Sequence, residues 1–183
     1  KGYFKHSIIP VKDQHGAVLL DHDEAIRTGT SIEDLAKLKP SFADLGATYG
    51  FDSVAIQRYL EVERMEHVHH AGNSSVIVDG SSVVLIGTKE VGNELGLKPR
   101  AKIIGFSSTG TEPTIMLTGP APSAKKVLKR CGMTKDDIDL FELNEAFAVV
   151  VLRYMQEMDI THDQININGG AIAMGHPLGA TGA

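Results

Sequence analysis

One cysteine, Cys131, among 183 residues excludes an internal disulfide framework and fits a reducing compartment. No stretch approaches the roughly eighteen consecutive apolar residues that a membrane-spanning helix needs, so no membrane span is expected. Cationic residues are outnumbered, 18 against 23 acidic, for a net charge of -5. They are also scattered, which argues against a nucleic-acid surface. An initiator methionine and a recognisable signal peptide are both missing from "KGYFKHSIIPV", and the last residues, "GATGA", follow a loop directly. The expectation is an internal piece of a longer protein, so the missing signal says nothing firm about location. What is present is the make-up of a folded globular chain, 42% hydrophobic and 22% charged, long enough for one domain or part of a larger one.

Along the chain, residues 1–75 read as irregular. "HSIIPV" suggests an edge strand, followed by the polar turn "KDQHG". In "TGTSIEDLAKLKPSF", Thr30 and Glu33 have capping-box spacing, and Leu35 and Leu38 give a short apolar face ahead of Pro40. "GFDSVAIQRYLEVERM" offers a further helix of ambiguous period. From residue 76 the pattern becomes regular. "SSVVLIG", "AKIIGFS", "DDIDLFEL" and "QINING" read as strands. "TKEVGNELG" reads as a helix ended by Gly96. "PSAKKVLKRCG" reads as a helix with Ala124, Val127, Leu128 and Cys131 on one face. "NEAFAVVVLRYMQEM" reads as a helix burying Phe147, Val150, Val151, Tyr154 and Met158. Strands alternating with helices over short connections imply an α/β fold with a mainly parallel sheet over 76–183.

Chemistry in such folds gathers at the carboxyl ends of strands. The strand "DLFEL" runs into Asn144-Glu145, and "INI" runs into "NGGAIAMGHPLGATG", which carries His176. Each residue also has a plain structural reading. Asn144 fits a helix N-cap, Glu145 a first-turn carboxylate, and His176 a loop histidine bonded to backbone. The glycines around His176 let backbone approach a ligand closely and expose N–H groups, and Pro177 fixes the chain beside the ring. A histidine so held suits acid–base work or polarising a carbonyl. The stretch lacks the phosphate-loop pattern. In "HVHH", His67 and His69 have same-face strand spacing, but third and fourth ligands are not evident, so no metal site is expected.

The motifs "HHAGNSSVIVDGSSVVLIG", "TIMLTGPAPSAKKVL", "DDIDLFELNEAFA" and "INGGAIAMGHPLGATGA" resemble, in order, those of the thiolase family. These are coenzyme-A-dependent acyltransferases that make or cleave 3-ketoacyl thioesters. The resemblance covers most of residues 20–183. It implies a thiolase-like α/β fold, mainly the second core domain, with layered helices on a mixed sheet that is incomplete here. Residues 1–75 would be part of the loop region and the end of the N-terminal half; 76–183 would be the C-terminal core domain, truncated. His176 would take a proton from a nucleophilic cysteine and help form an oxyanion hole. Asn144 would hold the water completing that hole, and Glu145 would support both. Ser75 and Met116 would line the pantetheine channel, and Arg27 and Phe42 would pack on the nucleotide end of coenzyme A. Coenzyme A would be a substrate, with no permanently bound cofactor. The intact protein would be a homo-oligomer, dimer or tetramer, in fatty-acid metabolism. It would be cytoplasmic if bacterial, and otherwise in an intracellular reducing compartment, of which the mitochondrion and the peroxisome are candidates.

The departures matter too. The family's two catalytic cysteines do not occur among these residues. Cys131 reads as structural, because it sits on an apolar helix face near a helix C-terminus, which disfavours thiolate. The 183 residues alone are therefore expected to be inactive, and an incomplete sheet is expected to aggregate. Val76 replaces the glycine usual after the "N-S-S" turn, and residues 47–68 are longer than in short biosynthetic thiolases. A non-catalytic acyl-CoA or lipid-binding relative, a ketoacyl synthase and a metal module on "HVHH" are the rival readings.

Overall fold

The computed structural model describes residues 2–182; the outer bounds of the two expected segments, residues 1 and 183, lie outside the described residues. The N-terminal region opens with a small hairpin, β1 (Val11–Lys12) antiparallel to β2 (Val18–Leu20). Its turn is tied by the Asp13 carboxylate, which accepts from the amides of His15 and Ala17 at 2.8 and 2.9 Å. Of the expected edge strand "HSIIPV", only Val11 pairs. Three short helices follow: α1 (Ile32–Leu35), α2 (Ala43–Tyr49) and α3 (Phe51–Arg58). The cap of α1 is one residue later than the expected Thr30–Glu33 pair. Ser31 accepts from the Asp34 amide at 3.2 Å and donates to the Asp34 carboxylate at 3.0 Å, so the helix starts beyond Thr30.

Two helices form the centre of the folded part. α5 (Pro120–Cys131) begins on proline, whose missing N–H costs nothing in a first turn, and ends at Gly132 in the left-handed conformation. α6 (Ala148–Met158) packs against it. Between and beneath them lies the core: Ala121, Phe141, Val151, Tyr154, Met158, Ile160 and Ile165, with Ala124, Leu128, Ile138, Leu143 and Met155 around its rim. Phe141 meets Tyr154 edge-on at 6.0 Å between ring centres, a favoured aromatic arrangement. The spacing Val150, Val151, Tyr154, Met158 puts one apolar stripe of α6 inside, as the sequence implies. Phe147 does not belong to the helix. It is extended at φ -147° and ψ 153°, half-buried, and stands just before the first turn.

The expected strands fare differently from one another. Phe141 and Ile165, from "DLFEL" and "QINING", pair in parallel, with the Phe141 amide donating to the Gln164 carbonyl at 2.7 Å and the Asn166 amide to the Phe141 carbonyl at 3.0 Å. This is the one point among the described residues where parallel pairing forms. "SSVVLIG" and "AKIIGFS" flank α4 (Lys89–Glu94) and join no sheet among the described residues. Val83 is 95% exposed, and Ile104 and Phe106 are also open to solvent. A strand becomes stable only with paired backbone and at least one covered face. No ladder forms along these runs, and 101–107 meets α5 at its end, through Gly105 against Cys131 and the Phe106 carbonyl accepting from Arg130 at 3.2 Å. The order of extended segments and helices is α/β, but the sheet is incomplete.

Candidate active site

The loop "ELNEAFA" does not enter α6 directly. Asn144 lies four residues ahead of the helix, and the first-turn amide of Ala148 is satisfied instead by the Asn73 carbonyl at 2.9 Å. The N-cap reading of Asn144 is therefore incorrect, and its side chain is free for another role. The cause is an antiparallel bridge between Ser74 and Phe147. Extended by the Ser75 amide donating to the Ala146 carbonyl at 3.0 Å, it holds residues 145–147 out of helical geometry. The turn "HHAGNSS" is itself rigid: Asn73 accepts from the His70 amide and donates to the Val68 carbonyl, both at 2.9 Å.

The glycine-rich loop reaches the same place from the other side. The His176 amide donates to the Val76 carbonyl at 2.8 Å, so the backbone of Val76 is part of the support for the ring. Gly175 makes this approach possible. Its φ of 99° is left-handed, and a Cβ there would lie 2.4 Å from a Val78 methyl. The result is a half-buried imidazole whose Nε2 lies 3.2 Å from Nδ2 of Asn144 and whose Nδ1 lies 2.8 Å from the Thr181 hydroxyl. Two residues 32 positions apart, singled out separately in the sequence, are thus in hydrogen-bond contact.

Glu145 is the tie between the two loops. Its carboxylate accepts from the Ile172 amide, in the first turn of α7 (Ala171–Met174), and from the Asn166 side chain, each at 3.1 Å. The first-turn reading of Glu145 on α6 is replaced by a clamp on α7. Gly170 leaves room for it, since a Cβ there would lie 2.3 Å from the carboxylate carbon and the Glu145 side chain would have to shift. Glycines read from sequence as room for a ligand thus serve, at Gly170 and Gly175, as room for protein. Burial, with the Glu145 charge adding to it, pushes the neighbouring Glu142 carboxyl above its ordinary value.

Asn166 was missed by sequence reasoning. Its amide pairs with both backbone groups of Leu143, accepting at 2.8 Å and donating at 2.9 Å, and also reaches Glu145. The signal was an asparagine inside the apolar alternation "QINING". Its φ of 48° is left-handed, a conformation asparagine tolerates better than β-branched residues do. Thr181 was missed as well.

The remaining candidates divide. Ser75 is strapped to Ala146. Phe42 stacks edge-on with Phe147 at 6.1 Å and with His69 at 6.4 Å, so it borders the "NEAF" loop. Met116 is exposed, with φ 49°, in a loop held by Glu112. Arg27 is exposed ahead of α1, where its carbonyl accepts from the Thr30 hydroxyl. Neither makes a hydrogen bond to the His176 centre among the described residues. The "HVHH" side chains have separate partners. His67 meets Asp52 at 3.0 Å, His69 the Phe42 and Phe147 rings, and His70 the Gly72 amide at 3.1 Å. Among the described residues no three His, Cys, Asp or Glu side chains cluster as metal ligands. Cys131 faces Gly105 at the end of α5, where a Cβ would lie 2.5 Å from its sulfur. No helix among the described residues is long and apolar enough to cross a membrane.

An imidazole with one nitrogen presented to an amide, at the meeting of two loops leaving adjacent parallel segments, is an arrangement suited to acyl transfer. The chain belongs to the thiolase family: the model of the thiolase N-terminal domain matches residues 1–57, and that of the thiolase C-terminal domain matches residues 97–183. Among individual proteins, it is 42% identical to the 3-ketoacyl-CoA thiolase of Aliivibrio fischeri over all of this chain and 44% of that protein. The dimeric peroxisomal thiolase of Saccharomyces cerevisiae superposes with a TM-score of 0.81 at 35% identity, covering 99% of this chain and 41% of that one. Human mitochondrial 3-ketoacyl-CoA thiolase in complex with CoA superposes at 0.79 and 33% identity, covering 99% and 40%. The chain thus spans less than half the length of these relatives. Its incomplete α/β arrangement is thiolase-like.

Proposed function

We propose that this chain carries part of the catalytic centre of a thiolase acting on acyl-CoA and 3-ketoacyl-CoA thioesters through an acyl-cysteine intermediate. The observation that carries the reading is the 3.2 Å contact between Asn144 and His176. In the intact protein Nε2 of His176 takes the proton of a cysteine thiol contributed from outside these residues. A free thiol, with pKa about 8.5, is only slightly ionised at neutral pH and needs such a base. The thiolate attacks the thioester carbonyl, and negative charge develops on its oxygen. The newly protonated Nε2–H and Asn144, with the water it holds, then stand as donors for that oxygen. Collapse breaks the carbon–sulfur bond to coenzyme A, whose sulfur takes the proton held on Nε2 of His176 and leaves as thiol, so the acyl-cysteine forms and the imidazole returns to its neutral state. Glu145 acts through position, fixing α7 and hence the approach of the His176 loop.

Coenzyme A is a substrate in this scheme. Ser75 and Phe42 border the "NEAF" loop and suit the pantetheine channel and the nucleotide end respectively. Met116 and Arg27 take the corresponding roles from family resemblance. Residues 1–75 belong to the loop region and the end of the N-terminal half, and residues 76–183 to the second core domain. The intact protein is a homo-oligomer.

The test is thiolysis of acetoacetyl-CoA by two proteins, the 183-residue chain alone and a longer chain carrying the family's cysteine-bearing segments. Turnover is expected only from the longer chain. Turnover by the 183 residues alone contradicts the need for an external cysteine. Tight CoA binding without turnover by the longer chain points to the non-catalytic acyl-CoA-binding rival.

A further inference from the structure

We propose that Thr181 is a positioning residue that sets the tautomer of His176, keeping the neutral ring's proton on Nδ1 and the lone pair on Nε2. The consequence for catalysis rests on the thiolase reading, but the tautomer itself does not.

The Thr181 hydroxyl lies 2.8 Å from Nδ1 and also donates to the Pro177 carbonyl at 3.1 Å. A hydroxyl has one proton and a carbonyl has none. When that proton goes to the Pro177 carbonyl, the oxygen facing Nδ1 is an acceptor and Nδ1 carries hydrogen. The opposite side of the ring gives the same answer independently. Nδ2 of Asn144, 3.2 Å from Nε2, only donates, so Nε2 accepts. Each nitrogen then has a partner of the right kind, and the nitrogen able to receive a proton is the one beside Asn144.

The hydroxyl is held where this requires. The amides of Ala180 and Thr181 both donate to the Pro177 carbonyl, at 2.8 and 3.1 Å, closing the turn that follows the ring. The Ser82 hydroxyl donates to the Ala180 carbonyl and ties that turn to the extended segment. The ring itself is fixed through the His176 amide on Val76. The carboxylate that ties the two loops, Glu145, bonds Asn166 and Ile172, and the group on Nδ1 is the neutral Thr181 hydroxyl. A second group that fixes which ring nitrogen is free is the usual way a histidine's role is set.

The experiment is long-range nitrogen–proton NMR on the longer, cysteine-bearing protein labelled with 15N-histidine. It is run at about pH 8.5, where imidazole is neutral, with the His176 signals assigned by their loss in His176→Asn. The wild type is expected to show a pyrrole-type Nδ1 and a pyridine-type Nε2. Thr181→Val keeps the branched shape and removes the hydroxyl. It is expected to move the tautomer ratio roughly three- to tenfold toward Nε2–H, the worth of one hydrogen bond, while Thr181→Ser stays within about twofold of wild type. A wild-type ring protonated mainly on Nε2 overturns the proposal, and this arm needs no variant to fold. A ratio unchanged in Thr181→Val overturns it too. Failure of thiolysis in the longer protein would remove the catalytic consequence and leave the tautomer result standing.

Discussion

Residues 119–182 and residues 76–117 are both rich in apolar runs, yet only the first folds around them. In the first, α5 and α6 give each other a face to bury, and the Phe141–Ile165 pairing closes the layer beneath. In the second, Ile77 and Val83 are 97% and 95% exposed, and the extended runs have no ladder partner and little cover beyond the contact of 105–107 with α5. Amphipathic helices can satisfy their own backbone, whereas strands depend on a neighbour for it. The site belongs to the first region and borrows only the edge where the second begins, together with the turn just before it. Residues 73–76 are stitched to the "NEAF" and glycine-rich loops by backbone bonds, and beyond Ser82 the stretch runs free of them until α4.

The contrast breaks most readily at the core. Ile165 is 2% exposed, so Ile165→Ala is expected to cost about 2–5 kcal/mol. The same truncation at Ile104 is expected to stay within about 0.5 kcal/mol. Paired thermal melts check this, and equal losses would show that 101–107 is as well buried as the core. Next in size, Gly170→Ala drives a methyl into the Glu145 carboxylate and should cost about 1–3 kcal/mol. Chemical-shift changes at Ile172 and His176 are expected to accompany it. Changes confined to Gly170 would show that Glu145 does not couple the loops.

The smallest effect concerns the tie at the far end of the open stretch. Glu112 accepts from the Tyr59 hydroxyl at 2.6 Å and from the Ile115 amide at 3.1 Å. These bonds, the first above all, bring its carboxyl down to about 2 from an ordinary 4.5. A depressed folded-state value means stabilisation present above pH 4.5 that fades as pH falls toward 2. The stability difference between wild type and Glu112→Gln is therefore expected to shrink across that window, as acid titrations of both proteins would show. A difference independent of pH would mean the carboxylate is not engaged.

Much of this was legible in the sequence because it was local. Pro120 and Gly132 bracket α5, the apolar stripe of α6 repeats at helical spacing, and Gly96 lies just past α4. His176 and Asn144 stood out through their neighbours. What was not legible came from contacts distant in sequence. Asn144 looked like a helix cap until the Ser74–Phe147 bridge moved the start of α6 to Ala148. Asn166 and Thr181 carry no motif of their own; their roles exist only once Leu143 and the His176 ring are beside them. The strands 81–87 and 101–107 have the right residues but no partner within the described chain.

The most direct test of the Asn144–His176 centre is the rate at which acetyl-CoA labels the nucleophilic cysteine of the longer protein, followed by intact mass. His176→Asn is expected to slow acetylation by about 10²–10⁴-fold, the usual worth of a general base, with the melting temperature little changed. Acetylation at the wild-type rate in that variant would contradict the assignment of His176 as the base.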